Sequence, residues 1–317
     1  MLEIKIPLSV PDSKKSLYRQ NYSTLTNNSG RLFLIADDQK LEHLNDDFFG
    51  RGISLEDNDP EHLFKIAANS NGGVLAAHLG LISRYGADYR QLPYIVKLNG
   101  KTNLGANDEK NSAQCLWDIS DVLKFKKQSG LKIVAAGYTL YLGGKYEAEM
   151  LAAAAKLIFE AHSAGLAAIL WIYPRAKGIN EENIHIIAGA AGVAAILDAD
   201  FTKLKYPYNT KNKKKTAQDY REVTLAAGRT KVICVGGEKK AAAEMFEELK
   251  NQLEISHTSG LAVGRNIHQR SLAEATNFSK ALASIIFKNY DLKKAKEIYN
   301  SKIILNKKRT HRLLGLF

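Results

Sequence analysis

The sequence predicts an α/β protein built as a closed (β/α)8 TIM barrel, and three observations carry that expectation. From Arg31 onward, short runs rich in Val, Ile and Ala alternate with longer amphipathic stretches, the pattern of repeated β-α units. The runs are almost continuously apolar, as strands of a parallel sheet covered on both faces must be. There are eight of them, which favours closure over an open sheet. A chain of 317 residues suits one such barrel with appended ends.

The predicted strands are residues 32–38, 73–78, 94–99, 132–137, 167–173, 201–206, 231–237 and 260–266. Between them lie helical patterns such as 146–164, whose Met150, Leu151, Ala154, Leu157 and Ile158 recur at about 3.6-residue spacing. Residues 271–288 read as the closing helix. Residues 1–30 form a polar N-terminal extension, expected to pack on one end of the barrel, in which the Ser/Thr/Asn cluster 21–30 reads as a loop. Residues 31–290 make the barrel. Residues 291–317 are a basic amphipathic tail ending in LLGLF, whose leucines can pack on the barrel or on another subunit.

Composition narrows the function. No segment reaches the length of a signal peptide's apolar core or a membrane helix, so a soluble, cytoplasmic protein with no membrane partner is expected. Cys115, in a predicted helix, and Cys234, in a predicted strand, lack CxxC spacing and read as buried structural residues. The excess of 45 Lys+Arg over 33 Asp+Glu can attract nucleic acid or phosphorylated metabolites. Much of it lies in Lys211–Lys215 and in the tail, and no nucleic-acid motif accompanies it, so nucleic acid is the disfavoured partner. The eight histidines offer no compact ligand pattern, and no metal is expected.

In such barrels the strand C-termini carry the active site. Strand six ends in FTKLKY, which places Lys203 and Lys205 two residues apart on one side of a strand, facing the barrel interior. Desolvation and a neighbouring cation would lower the pKa of such a lysine and leave an amine able to attack a carbonyl. Position alone leaves open that both snorkel outward at the rim. Strand five ends in WIYPR, so Trp171, Tyr173 and Arg175 share a face, as pocket wall, proton donor and anion contact, or as barrel filling. Asp38 is a candidate base, or a cap of the next turn, while Asp37 has the opposite parity and should face the helices. Glu42 and His43 can line the same rim. Gly236-Gly237 and Gly264-Arg265 follow strands seven and eight, where barrels commonly bind phosphate, although glycines there also serve tight turns.

These segments together resemble the class I, Schiff-base fructose-bisphosphate aldolases of the archaeal type. The resemblance runs from Arg31 to Phe287 through DQKLEH (38–43), YEAEML (146–151), WIYPR (171–175), ADFTKLKY (199–206), the Gly236-Gly237 turn and AVGRNI (262–267). It implies a covalent imine through Lys203 with no cofactor, proton shuttling by Tyr173, and an acid–base role for Asp38. Trp171, Arg175 and Lys205 then contact substrate, and Gly236, Gly237, Gly264 and Arg265 hold its phosphate. The implied activity is reversible cleavage of fructose 1,6-bisphosphate, in glycolysis or gluconeogenesis, by a homo-oligomer. Related barrels use the same lysine for other phosphosugars, in sugar condensation toward aromatic precursors and in acetyl transfer. Two positions depart from the family pattern: Gln39-Lys40 stands where His-Gly is usual, and Ala176 where a glycine follows the arginine. Residues before Arg31 and after Phe287 carry no resemblance.

Overall fold

A computed structural model describes residues 3–105, 111–208 and 210–301. Eight parallel strands close into a barrel in chain order: β1 (Leu32–Ala36), β2 (Val74–His78), β3 (Pro93–Lys97), β4 (Lys132–Leu142), β5 (Ala167–Pro174), β6 (Phe201–Leu204), β7 (Lys231–Val235) and β8 (Gly260–Val263). The ring closes where Leu32 pairs with Gly260, whose φ of 139° and close approach to the Leu32 carbonyl admit only glycine.

Side-chain parity divides the core in two. Phe33 and Ile35 of β1 face outward into a shell shared with helix residues such as Met150, Ala154, Leu157 and Ile158. Leu32, Leu34, Val74, Ala76, Ile95, Ala135, Ile169, Phe201 and Ile233 fill the interior. The helix of residues 146–164 is observed as Glu147–Ser163. The closing helix spans Leu272–Lys288, with Ser271 accepting a capping bond from Glu274 N.

Three expectations need correction. The cluster 21–30 is not wholly loop, because Asn21–Leu25 complete a helix, Lys15–Leu25, whose Tyr18, Tyr22 and Leu25 are buried against the barrel interior. Burial of one face at i, i+4 and i+7 overrides the weak helix propensity of Asn, Ser and Thr. Strand β4 runs to Leu142 instead of stopping at Gly137. Cys115 is neither helical nor buried: Gln114–Cys115 pairs antiparallel with Asn99–Gly100, leaving Cys115 exposed, whereas Cys234 is buried in β7 and its thiol is pushed up to about 12.

At its C-terminal end the chain adds a helix, Leu292–Tyr299, against Leu272–Lys288. The LLGLF end of the tail lies outside the described residues. No helix among the described residues is long and apolar enough to cross a membrane.

Candidate active site

The strand C-termini open onto a cavity of about 240 Å³. Lys203, Tyr173, Asp38, Trp171, Arg175, Lys205, Gly236, Gly237, Gly264 and Arg265 all line it, together with Glu42 and His43. Larger clefts lie on the barrel wall, beside Leu123 and Leu157, and beneath residues 3–9 at the opposite end. Neither holds a lysine amine buried among carboxylates.

Interior parity on β6 turns Lys203 into the barrel as the register partner of Trp171 on β5, and leaves it 6% exposed. Its amine lies 5.4 Å from the centre of the Trp171 ring, which carries a second cation, Lys97 Nζ, at 5.6 Å. Room for the indole comes from Gly137: a Cβ there would sit 2.3 Å from Trp171 Cζ3. Burial lowers the Lys203 pKa, and the Asp38 and Glu42 carboxylates oppose that without cancelling it. Burial also lowers Lys97, and the charge of Lys203 adds to the shift.

The two amines differ in how they are held. Lys97 Nζ donates to Asn99 O at 2.7 Å and Asn99 Oδ1 at 3.0 Å. Asn99 is fixed in turn by Thr139 N, which donates to its Oδ1 at 2.7 Å, and by its own amide donating to Thr139 O and Ala113 O. Lys203 Nζ makes no hydrogen bond among the described residues. Both amines are buried and lowered; what separates them is that Lys97 is tethered and Lys203 is not.

Burial alone would raise the Asp38 carboxyl, but Lys203, Lys97 and His78 outweigh it and hold the group below its usual range. Asp38 precedes the short helix Gln39–Glu42 without capping it. Asp37 is buried with neither carboxylate oxygen hydrogen-bonded. Burial, with Asp38 adding, raises its carboxyl well above the ordinary carboxylate value. Burial raises the Tyr173 phenol, and Glu42 and Asp38 add to the shift, so it keeps its proton. Its ring stacks on Tyr141 at 5.9 Å. Burial and the cationic Lys97 drop His78 to about 4, which leaves it neutral.

Lys205 does not provide the interior cation that strand parity suggested. It follows the last residue of β6 and pairs with Glu182 at 3.4 Å and Glu181 at 3.8 Å. Arg175 Nε donates to Glu181 Oε1 at 2.8 Å. The interior cation is Lys97, which the sequence reading passed over, as it did Thr139 and Tyr141. The signals were present: a lysine inside the apolar run YIVKLN, and the alternation in GYTLYL after Gly137.

Across the mouth, Asn266 Nδ2 donates to the carbonyls of Gly236 at 2.8 Å, Gly237 at 3.3 Å and Glu238 at 2.6 Å, fixing the turn after β7. Gly237 has φ +70°, which favours glycine. Arg265 Nε lies 3.7 Å from Asp47, which also pairs with His43 at 2.6 Å. Among the described residues no three His, Cys, Asp or Glu side chains are grouped to hold a metal ion.

A family model described as "DeoC/LacD family aldolase" matches residues 32–270, the span of this barrel. The chain belongs to that family. It is an aldolase, a carbon–carbon lyase. A Methanocaldococcus jannaschii protein named fructose-bisphosphate aldolase/6-deoxy-5-ketofructose 1-phosphate synthase is 46% identical over 298 residues, 94% of each chain. That match exceeds the segment 31–287, so the terminal parts have counterparts after all. The class 1 fructose-bisphosphate aldolase of Thermoproteus tenax is 30% identical over 81% of this chain and 90% of its own. Among solved structures, a fructose-bisphosphate aldolase from Slackia heliotrinireducens superposes with TM-score 0.90 at 45% identity, covering 94% of both chains. An archaeal fructose-1,6-bisphosphate aldolase, at TM-score 0.72 and 26% identity over 85% of this chain and 99% of its own, has its catalytic Lys covalently bound to the carbinolamine intermediate of the substrate.

Proposed function

We propose that the aldolase reversibly cleaves fructose 1,6-bisphosphate to dihydroxyacetone phosphate and glyceraldehyde 3-phosphate through an imine on Lys203. One observation carries the reading: Lys203 is the buried lysine whose amine is untethered, while its neighbour Lys97 is locked on Asn99.

The neutral Lys203 amine adds to the ketone carbon, and loss of water from the carbinolamine gives a protonated imine. The Asp38 carboxylate takes the proton of the C4 hydroxyl as the C3–C4 bond breaks, and the bond's electron pair moves into the enamine. After the aldehyde leaves, Tyr173, kept protonated by its surroundings, gives a proton to C3 and regains one from the protonated Asp38, and water hydrolyses the imine to free the ketone and the Lys203 amine. The Gly236-Gly237 and Gly264-Arg265 turns hold the phosphate of the ketone half, and that remote binding energy fixes the carbonyl against Lys203.

A second reading concerns the aldehyde. The Methanocaldococcus relative bears a second name, for a synthase whose product carries one phosphate. In this chain the cations beyond strands β5 and β6, Arg175 and Lys205, are already engaged by Glu181 and Glu182. Those carboxylates compete with a second phosphate, so uncharged short aldehydes belong in the assay. Condensation of dihydroxyacetone phosphate with glyceraldehyde 3-phosphate and with an uncharged aldehyde, measured side by side, tests both. Turnover with glyceraldehyde 3-phosphate supports the bisphosphate reading. Turnover with the uncharged aldehyde alone rejects it in favour of the second.

A further inference from the structure

We infer that Gln39 is a positioning residue for the ketone's phosphate and closes the glycine cradle from the β1 side. The inference rests on the reading that the phosphate sits at Gly236, Gly237, Gly264 and Arg265.

Gln39 opens the short helix after Asp38, and its side chain crosses from the end of β1 to the neighbouring β8 turn. There its carboxamide lies against Gly264: a Cβ on that glycine would fall 1.7 Å from Gln39 Oε1 and 2.8 Å from Gln39 Cδ. The absence of a side chain on Gly264 is what lets the Gln39 carboxamide lie there, in space that a methyl would share with it. Gln39 Oε1 is also buried without a hydrogen-bond partner. A polar atom left bare beside a predicted anion cradle costs free energy in the empty site, and that cost is recovered if a ligand arrives.

The carboxamide suits this task. Turning about its last side-chain bond exchanges the carbonyl oxygen for the amide N–H, so the group facing Gly264 becomes a donor to a phosphate oxygen. The other groups near this end are Arg265, Asp47, which faces Arg265 and His43, and the exposed Glu238 near Arg265 Nη1. With Asp47 and Glu238 drawing on Arg265, a neutral donor above Gly264 adds a contact that those carboxylates do not quench.

The test compares a phosphorylated ketone with its unphosphorylated counterpart in wild type, Gln39→Glu and Gln39→Met, the last two keeping nearly the same side-chain volume. Cleavage kinetics, borohydride trapping with dihydroxyacetone phosphate and with dihydroxyacetone, and displacement by inorganic phosphate are measured on the full chain. Gln39→Met is expected to raise KM for the phosphorylated ketone about five-fold with kcat kept, the loss of one hydrogen bond. Gln39→Glu is expected to raise it ten-fold or more by setting a carboxylate against the phosphate. In both variants trapping with dihydroxyacetone is unchanged and inorganic phosphate binds more weakly. An equal loss on both ketones would make Gln39 merely structural and overturn the inference. Unchanged kinetics in the variants would overturn it too. If wild type itself traps both ketones equally and ignores inorganic phosphate, the phosphate reading fails and takes this inference with it.

Discussion

The two ends of the barrel bury similar residue types and treat them in opposite ways. At the N-terminal end, Asp200 accepts from Tyr18 Oη, from Ala168 N at 2.8 Å and from His162 Nε2 at 3.0 Å. The other His162 nitrogen lies 2.8 Å from Ser9 Oγ, which donates to Asp198 at 2.7 Å. Both ring nitrogens then face acceptors, and although burial opposes the charge, Asp200 and Asp198 raise His162 on balance. At the C-terminal end, buried atoms of Asp37, Asp38, Gln39, His78, Thr139 and Trp171 have no hydrogen-bond partner. Satisfied networks stabilise, whereas unpartnered buried groups gathered around a cavity are open to a ligand. One end is a fastening and the other a workplace.

Substitutions can break that contrast, and the largest effect is expected at the working end. Lys203→Met should lower turnover on the order of 10⁴-fold or more while leaving thermal stability equal or higher, because an apolar side chain replaces a buried amine. Purified protein assayed for cleavage and for melting temperature checks both. A variant that melts early would assign Lys203 to the fastening instead.

Next comes Asp38→Asn, expected to cost about 10²- to 10⁴-fold in turnover. It also shifts the pH dependence. The Asp38 charge raises the Lys203 pKa against the effect of burial, so its removal lets the amine fall further, and imine trapping should begin at lower pH than in wild type. A trapping profile that moves to higher pH would contradict this electrostatic account.

At the fastening end the effect should fall on stability alone. Asp200→Ala leaves His162 and Tyr18 without their shared acceptor and should cost about 3–5 kcal/mol, with kcat of the folded enzyme unchanged. The sign of the pH effect follows from the raised His162. Its stabilisation is full below the ordinary value near 6.5 and is lost as pH rises through the higher folded-state value. Denaturant unfolding at several pH values shows whether His162→Gln removes that alkaline loss.

The smallest expected effect is that of Gly137→Ala, about 1–3 kcal/mol, because its methyl drives against the Trp171 ring and must shift it. Tryptophan emission and imine trapping should change together. A change in neither would show that the indole has slack between the two lysines.

How much of this was legible in the sequence follows the same division. Short apolar runs located all eight strands, and the DQKLEH, WIYPR and FTKLKY motifs held residues that share the cavity. Lys97 escaped because a single lysine in an apolar strand reads as a snorkelling rim residue; what buries it is the Asn99 hub, assembled from three separate segments. Thr139 and Tyr141 escaped because Gly137 looked like a strand end, when its missing side chain is what admits Trp171. Lys205 turns to Glu181 and Glu182 instead of the interior because β6 stops at Leu204, and alternation no longer governs the residue that follows. The Gln39 contact with Gly264 joins positions 225 apart and has no local signature at all.

The central claim is that Lys203 alone carries the imine. The most direct measurement is borohydride reduction in the presence of dihydroxyacetone phosphate, followed by peptide mapping of the added mass. A single adduct on Lys203, with Lys97 and Lys205 unmodified, is the predicted result. An adduct on Lys97 or Lys205, or none on any lysine while the folded enzyme turns substrate over, would contradict the account.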